Sequence, residues 1–254
     1  MDLLRNKNKK TLLTSATHFV FDITLATVVL LSILLFDQPA IAIILVLISK
    51  WRMLFVRPRF WWVNMLSNLP DMVFGVGIVA LMCVMPDLVV QICLAVVYAI
   101  WLLFIKHGSS RRMVATQAAA TQFIGLWVLF AVAHLVALPV VLVGCFIIGF
   151  STARHILLNY DEEDSRTLLA MVWGVLVAEI GFVTFHWTLA YSFFDVLLIP
   201  QVSILVTLLA MIFLPCYDSY DRNEGKIKWV DIRWAVIFAT LLILVLSTIF
   251  SGLL

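Results

Sequence analysis

The chain is 254 residues long, 64% hydrophobic and 13% charged, with a mean hydropathy of +1.10. A soluble domain carries about a quarter charged residues, so a water-soluble globular protein is excluded. The net charge of +2 conceals an uneven distribution: the 17 Lys and Arg lie in short loops and at helix ends between apolar runs, which offers nucleic acid no continuous surface.

Nine apolar segments follow one another, at residues 12–36, 40–54, 69–85, 88–105, 113–137, 139–155, 167–191, 196–214 and 232–251. Most approach the roughly 20 residues that cross a bilayer core about 30 Å thick. In hydrocarbon the backbone must satisfy its own hydrogen bonds, so helices are expected, and alternating strand patterns are absent. The expected fold class is an all-α membrane protein of nine transmembrane helices, a single polytopic domain over residues 1–254.

Orientation follows from the basic residues. With residues 1–11 in the cytoplasm, every Lys and Arg falls inside, in groups near Arg5–Lys10, Lys50–Arg59, Lys106–Arg112, Arg154–Arg166 and Arg222–Arg233. The outer turns then hold only Asp37, Asp87 and Asp195, so the chain runs N-in and C-out. The basic start resembles a signal peptide in outline. Its apolar run is too long for the usual core of about 7–15 residues and contains His18 and Asp22, so a retained first helix is expected.

The first eight segments pair into hairpins with outer turns at Asp37-Gln38-Pro39, Met85-Pro86-Asp87, Leu138-Pro139 and Phe194 to Pro200. Pro39, Pro86 and Pro139 sit where a missing N–H costs nothing. Pro200 is expected a few residues inside its helix, as a kink. Asp22, Asp71 and Glu179 precede Asp37, Asp87 and Asp195 by 15, 16 and 16 residues, and Gln122 precedes Pro139 by 17. These groups would lie about 24 Å below the outer turns, in the cytoplasmic third. The repetition fits duplicated transporter hairpins, and equally four passes through one bilayer thickness. Ala170, Gly174 and Ala178, with Gly181 nearby, form a small-residue row suited to close helix packing.

Polar residues within spans are expensive and mark candidate function. His18 and Asp22, four residues apart, read as a proton-relaying pair or as mutual neutralisation. Asp71 follows Asn68-Leu69-Pro70, which reads as a helix start with Asn as cap; a carboxylate at a cavity mouth is the other reading. Glu179 has no cap signal and shares a face with His186, so the two are candidates to line a polar pathway, against a structural bond between helices. Asp161-Glu162-Glu163-Asp164 reads as a solvated cluster. Cys83, Cys93, Cys145 and Cys216 form no CxxC pair and read as packing residues. No metal site, cofactor motif or retinal-type lysine is legible. Gly149-Phe150-Ser151 with His155 lacks a second hydrolase motif, so an enzyme is not expected.

Residues 50–68 form a basic-aromatic interfacial stretch. Arg57, Arg59, Trp61 and Trp62 suit a head-group anchor or recognition of an anionic lipid. Arg57-Pro58-Arg59-Phe60-Trp61-Trp62-Val63-Asn64, continuing to Asn68 and Asp71, resembles a stretch in multi-pass membrane proteins of Saccharibacteria and related small-genome bacteria. The resemblance covers about fifteen residues; it implies a bacterial cytoplasmic membrane and carries no activity. Two readings of function follow. One is a small permease or channel-like protein for a polar solute or ion, with or without proton coupling, using Glu179, His186, Asp22, His18 and Asp71. The other is a non-catalytic scaffold or lipid-binding assembly factor. Membrane lipids are the expected partners, and assembly of several copies stays open.

Overall fold

The computed structural model describes residues 2–250 apart from 37, 51–56, 161–163, 188, 194–196 and 224. Among them are nine α-helices: α1 (Asp2–Phe36), α2 (Pro39–Ile48), α3 (Trp61–Val84), α4 (Leu88–Ile100), α5 (Arg111–Ala131), α6 (Leu138–Leu157), α7 (Arg166–His186), α8 (Gln201–Arg222) and α9 (Trp229–Phe250). Eight are long and apolar enough to cross a membrane. Large apolar side chains such as Leu35, Val89 and Trp234 stand exposed along the bundle. Such a surface is stable in hydrocarbon and not in water, which makes this an integral membrane protein by composition and architecture.

The second helix departs from expectation. α2 has 10 residues and ends at Ile48, so it rises only about 15 Å, half a bilayer core. The apolar run 40–54 made it look longer; its residues 51–54 lie outside the described ones. The third helix departs in the opposite sense. It begins at Trp61, and Pro70 lies inside it. Asn68 does not cap a helix start: its side-chain amide donates to the Asn64 carbonyl, 2.9 Å away, on the same helix. Pro70 removes one N–H, but nine helical residues precede it and fourteen follow, enough to carry the helix through it.

The turn expected from Phe194 to Pro200 is part of a β-hairpin, β1 (Ala190–Phe193) with β2 (Leu197–Pro200), antiparallel with Tyr191 opposite Ile199. Four-residue strands are too short to reveal alternation in sequence. The Trp127 indole of α5 donates to the Leu198 carbonyl at 2.8 Å and pins the hairpin to the bundle. Pro200 is the residue preceding α8, in extended conformation, and not a kink within it; Pro215 is the proline inside that helix. The other turns match their prolines: Pro39 and Pro139 stand in the first turns of α2 and α6, while Asp87 caps α4 by accepting from the Val90 N–H at 3.0 Å.

Two large apolar cores result, beside a smaller one around Leu157, Tyr160 and Ala170. One joins α1, α2, α3 and α4 around Val29, Val46, Ile78, Met82 and Leu94; the other joins α5, α6, α7 and α8 around Leu126, Val141, Cys145, Val177 and Val206. The small-residue row lies where α6 and α7 touch. A Cβ added at Gly174 would come within 3.0 Å of the Phe146 carbonyl oxygen, a backbone atom that cannot move aside. α9 leans on α8 and is otherwise largely exposed.

A candidate functional site at the end of the half-length helix

α2 delivers a charge into the bundle. Beyond Ile48 the chain turns, with the Ser49 hydroxyl donating to the Val46 carbonyl at 2.6 Å and the Lys50 N–H to the Leu47 carbonyl at 3.0 Å. A cation is favoured at a helix C-terminus, where unpaired carbonyls gather. Lys50 is 7% exposed. Its ammonium donates to Asp71 Oδ2 and forms an ion pair with it. The other carboxylate oxygen, Oδ1, accepts from the Trp101 indole N–H at 2.8 Å. Both oxygens of Asp71 are therefore engaged, which offsets its partial withdrawal from water.

The surroundings fix these groups. Trp101 stacks on Phe74, one turn beyond Asp71 on α3, with ring centroids 3.7 Å apart and planes 12° from parallel. Trp101 opens a π-helical turn, Trp101–Ile105, closed by the Lys106 N–H on the Trp101 carbonyl at 2.8 Å. Such turns are rare and concentrate at functional sites. Asp22 is buried on α1 and lies close enough to Lys50 and Tyr98 to act on both through its charge, as Lys106 acts on Lys50. Counted along their own helices, Asp22, Lys50, Asp71 and Trp101 all stand about 16–21 Å from the end that carries Pro39, Val84 and Leu88. Four helices thus bring two carboxylates, an ammonium and an indole to one level.

Of the residues singled out in the sequence, Asp22 and Asp71 come together here. The backbone of His18 lies one turn before Asp22 on α1; its side chain is outside the described structure. Glu179 and His186 stand elsewhere. Glu179 is exposed on α7, only seven residues, or about 10 Å, from the end of that helix. The earlier depth was counted to Asp195, whereas α7 stops at His186 and the β-hairpin follows. His186 is exposed, with Nδ1 2.8 Å from the Phe182 carbonyl oxygen of its own helix. Arg57, Arg59, Trp61 and Trp62 are exposed where α3 begins, with the Arg59 guanidinium 4.6 Å from the Phe60 ring centre.

Sequence reasoning missed Lys50 and Trp101. Lys50 sits beside Arg52 and reads as one more loop cation; its one signal was the brevity of the apolar stretch from Pro39 to Ile48. Trp101 carries no distinguishing pattern.

A second polar centre ties the other core together. Gln122, 1% exposed, donates to the Val206 carbonyl at 2.9 Å and accepts from the Thr152 hydroxyl at 3.1 Å and the Trp173 indole at 3.0 Å. One side chain of α5 thereby bonds to α8, α6 and α7. Near the same end as the basic loops, Gln117 donates to the carbonyls of Ile105 and Gly108, at 2.5 and 3.0 Å, and its oxygen lies 2.8 Å from His155 Nε2. Beyond it, Arg111 pairs with Asp218 at 3.0 Å and lies over the Tyr160 ring, whose hydroxyl donates to Asp218. Burial, with the Asp218 carboxylate beside it, raises the Tyr160 pKa well above that of an ordinary phenol.

His, Cys, Asp and Glu form no metal-ligating group among the described residues. Comparison with known proteins finds no match for this chain among family models, curated proteins or solved structures.

Proposed function

We propose that the chain is a permease or channel-like protein for a small polar solute or ion in a bacterial cytoplasmic membrane, with Asp22, Lys50 and Asp71 as its polar centre. The observation that carries this reading is a half-length helix ending on a buried lysine ion-paired with a half-buried aspartate. Irregular backbone at membrane depth is tolerated where it is buried in protein or lines a cavity, and interrupted helices mark the binding sites of many transporters. Lys50 has two carboxylates within electrostatic reach. Protonation of Asp71 would free the ammonium toward Asp22, so a proton or a cation arriving at the centre can exchange one pairing for the other. Lipid binding by a scaffold is the second reading, favoured by the exposed Arg57, Arg59, Trp61 and Trp62.

The chain would enter from the cytoplasm and pass the membrane nine times, with α2 in the second pass. In a background without Cys83, Cys93, Cys145 and Cys216, single cysteines at Gln38 and Asp87 are expected to react with an impermeant maleimide on intact cells, and one at Ser109 only after lysis. The reverse pattern would invert the orientation. In the same background, a cysteine replacing Ser49, next to Lys50, tests the function. A permease is expected to let a small charged thiosulfonate reach it from at least one face of the membrane. A thiol that stays unreactive from both faces, in intact and inverted vesicles, removes the permease reading and leaves the scaffold.

A further inference from the structure

A cavity of about 650 Å³ lies in the other half of the molecule, among α5, α6, α7 and α8. It falls within the range of about 300–1,000 Å³ typical of small-molecule sites. Its wall is almost wholly apolar. Ala115, Ala119, Ala153 and Ala210 face it from three helices, and these one-carbon side chains make the space; any larger apolar residue would fill part of it. Polar side chains in the wall already have partners: Thr152 and Trp173 donate to Gln122, and the Thr116 hydroxyl to the Arg112 carbonyl. The cavity therefore offers dispersion contacts and little unmet hydrogen bonding, which selects an apolar occupant.

The cavity is also placed to receive one. Lining residues Val172 of α7 and Met211 and Phe213 of α8 are exposed on the outside of the bundle. The space thus opens sideways between α7 and α8, onto the apolar belt that faces lipid tails in a membrane. It occupies the half of the bundle nearest the basic loops, between Ala115, four residues into α5, and Leu157, the last residue of α6. A head group would then lie at the level of Tyr217 and of Arg111, which stacks over the neighbouring Tyr160.

We infer that this cleft is a binding site for one acyl chain of a membrane phospholipid from the leaflet on the basic side, entering laterally between α7 and α8. The inference is independent of the Lys50–Asp71 centre and holds for a permease or a scaffold alike.

The test uses the full chain in phosphatidylcholine liposomes containing a trace of phosphatidylcholine with a photoreactive diazirine on its acyl chain. After irradiation, adducts are mapped by mass spectrometry. Adducts are expected to concentrate on the cleft segments, residues 115–122 and 210–217, well above the exposed face of α9. Ala119→Phe and Ala210→Phe, each filling the cleft from a different helix, are expected to reduce the cleft adducts severalfold while those on α9 stay constant, which also reports that the fold is kept. Adducts spread evenly over all exposed faces would overturn the inference, as would cleft adducts that persist in a folded, filled variant. Should neither variant fold, the map of the unaltered chain still decides between concentration and even spread. A parallel arm with a diazirine fatty acid separates the sources: cleft labelling by the free acid alone would overturn the assignment to phospholipid.

Discussion

Lys50→Met is expected to lower the stability of the folded protein by about 3 kcal/mol, the low end for breaking a buried ion pair, because the carboxylate left without its cation is half-buried. Asp71 would keep the Trp101 indole and lose the ammonium, and no other described cation stands at contact distance to offset its partial burial. Asp71→Asn is expected to cost less. The amide still accepts from Trp101, and Lys50 retains the charge of Asp22 nearby. The double variant Lys50→Met with Asp71→Leu is expected to recover part of the loss, because two apolar groups replace a pair whose desolvation is itself costly, while the Trp101 indole loses its acceptor. Unfolding in mixed micelles of increasing denaturing detergent measures all three, and the coupling follows from the double-mutant cycle. Equal, small effects of the two single changes would mean that the pair is hydrated and contributes little. The stable double variant also separates folding from function: in a permease it is expected to be folded and inactive.

Gln122→Leu should have the second-largest effect, about 1–3 kcal/mol. It leaves the Trp173 indole and the Val206 carbonyl without the partner they have at 3.0 and 2.9 Å, in a place where water does not replace it. Thr152 suffers less, since its hydroxyl also reaches the Ile148 and Gly149 carbonyls on its own helix. Adding Trp173→Phe, which removes the stranded donor, should restore part of the stability lost. Thermal unfolding in detergent is the readout. A Gln122→Leu protein as stable as the parent would show that the bonds of Gln122 add nothing to the contacts that hold α6, α7 and α8 to α5.

Much of this architecture was legible because lipid leaves the backbone few choices. Apolar length located eight of the long helices, and prolines located three of the turns. Asp22 and Asp71 could be picked out because a carboxylate in a span needs a reason to be there. Which face each one used could not be read. α7 is apolar nearly all round, so nothing in its pattern said that Glu179 points away from the bundle. Lys50 was hidden by its neighbours: beside Arg52, Arg57 and Arg59 a lysine looks like a loop cation, and only a tertiary contact with a residue 21 positions away distinguishes it. Pro70 misled for a related reason. A proline after Asn-Leu has the same local chemistry at a helix start and in mid-helix, and nothing in Trp61 to Leu69 separates the two. The β-hairpin depends on Trp127 meeting Leu198, a pairing across 71 residues.

Pro70 and Asp71 are adjacent, and that adjacency has a mechanical meaning. The proline has no N–H to offer the carbonyl four residues back, so α3 lacks one rung of its ladder at the turn that holds its half-buried charge. A rod with one rung missing is most compliant there. The Thr121 hydroxyl of α5 donates to the Pro70 carbonyl at 3.2 Å, a light cross-brace over the same joint. Force applied to the carboxylate, whether by an arriving cation, a proton or the transmembrane voltage, therefore acts on α3 at its softest point, and bending of α3 in turn displaces the carboxylate. Charge and curvature are coupled in this helix by the order of two neighbouring residues.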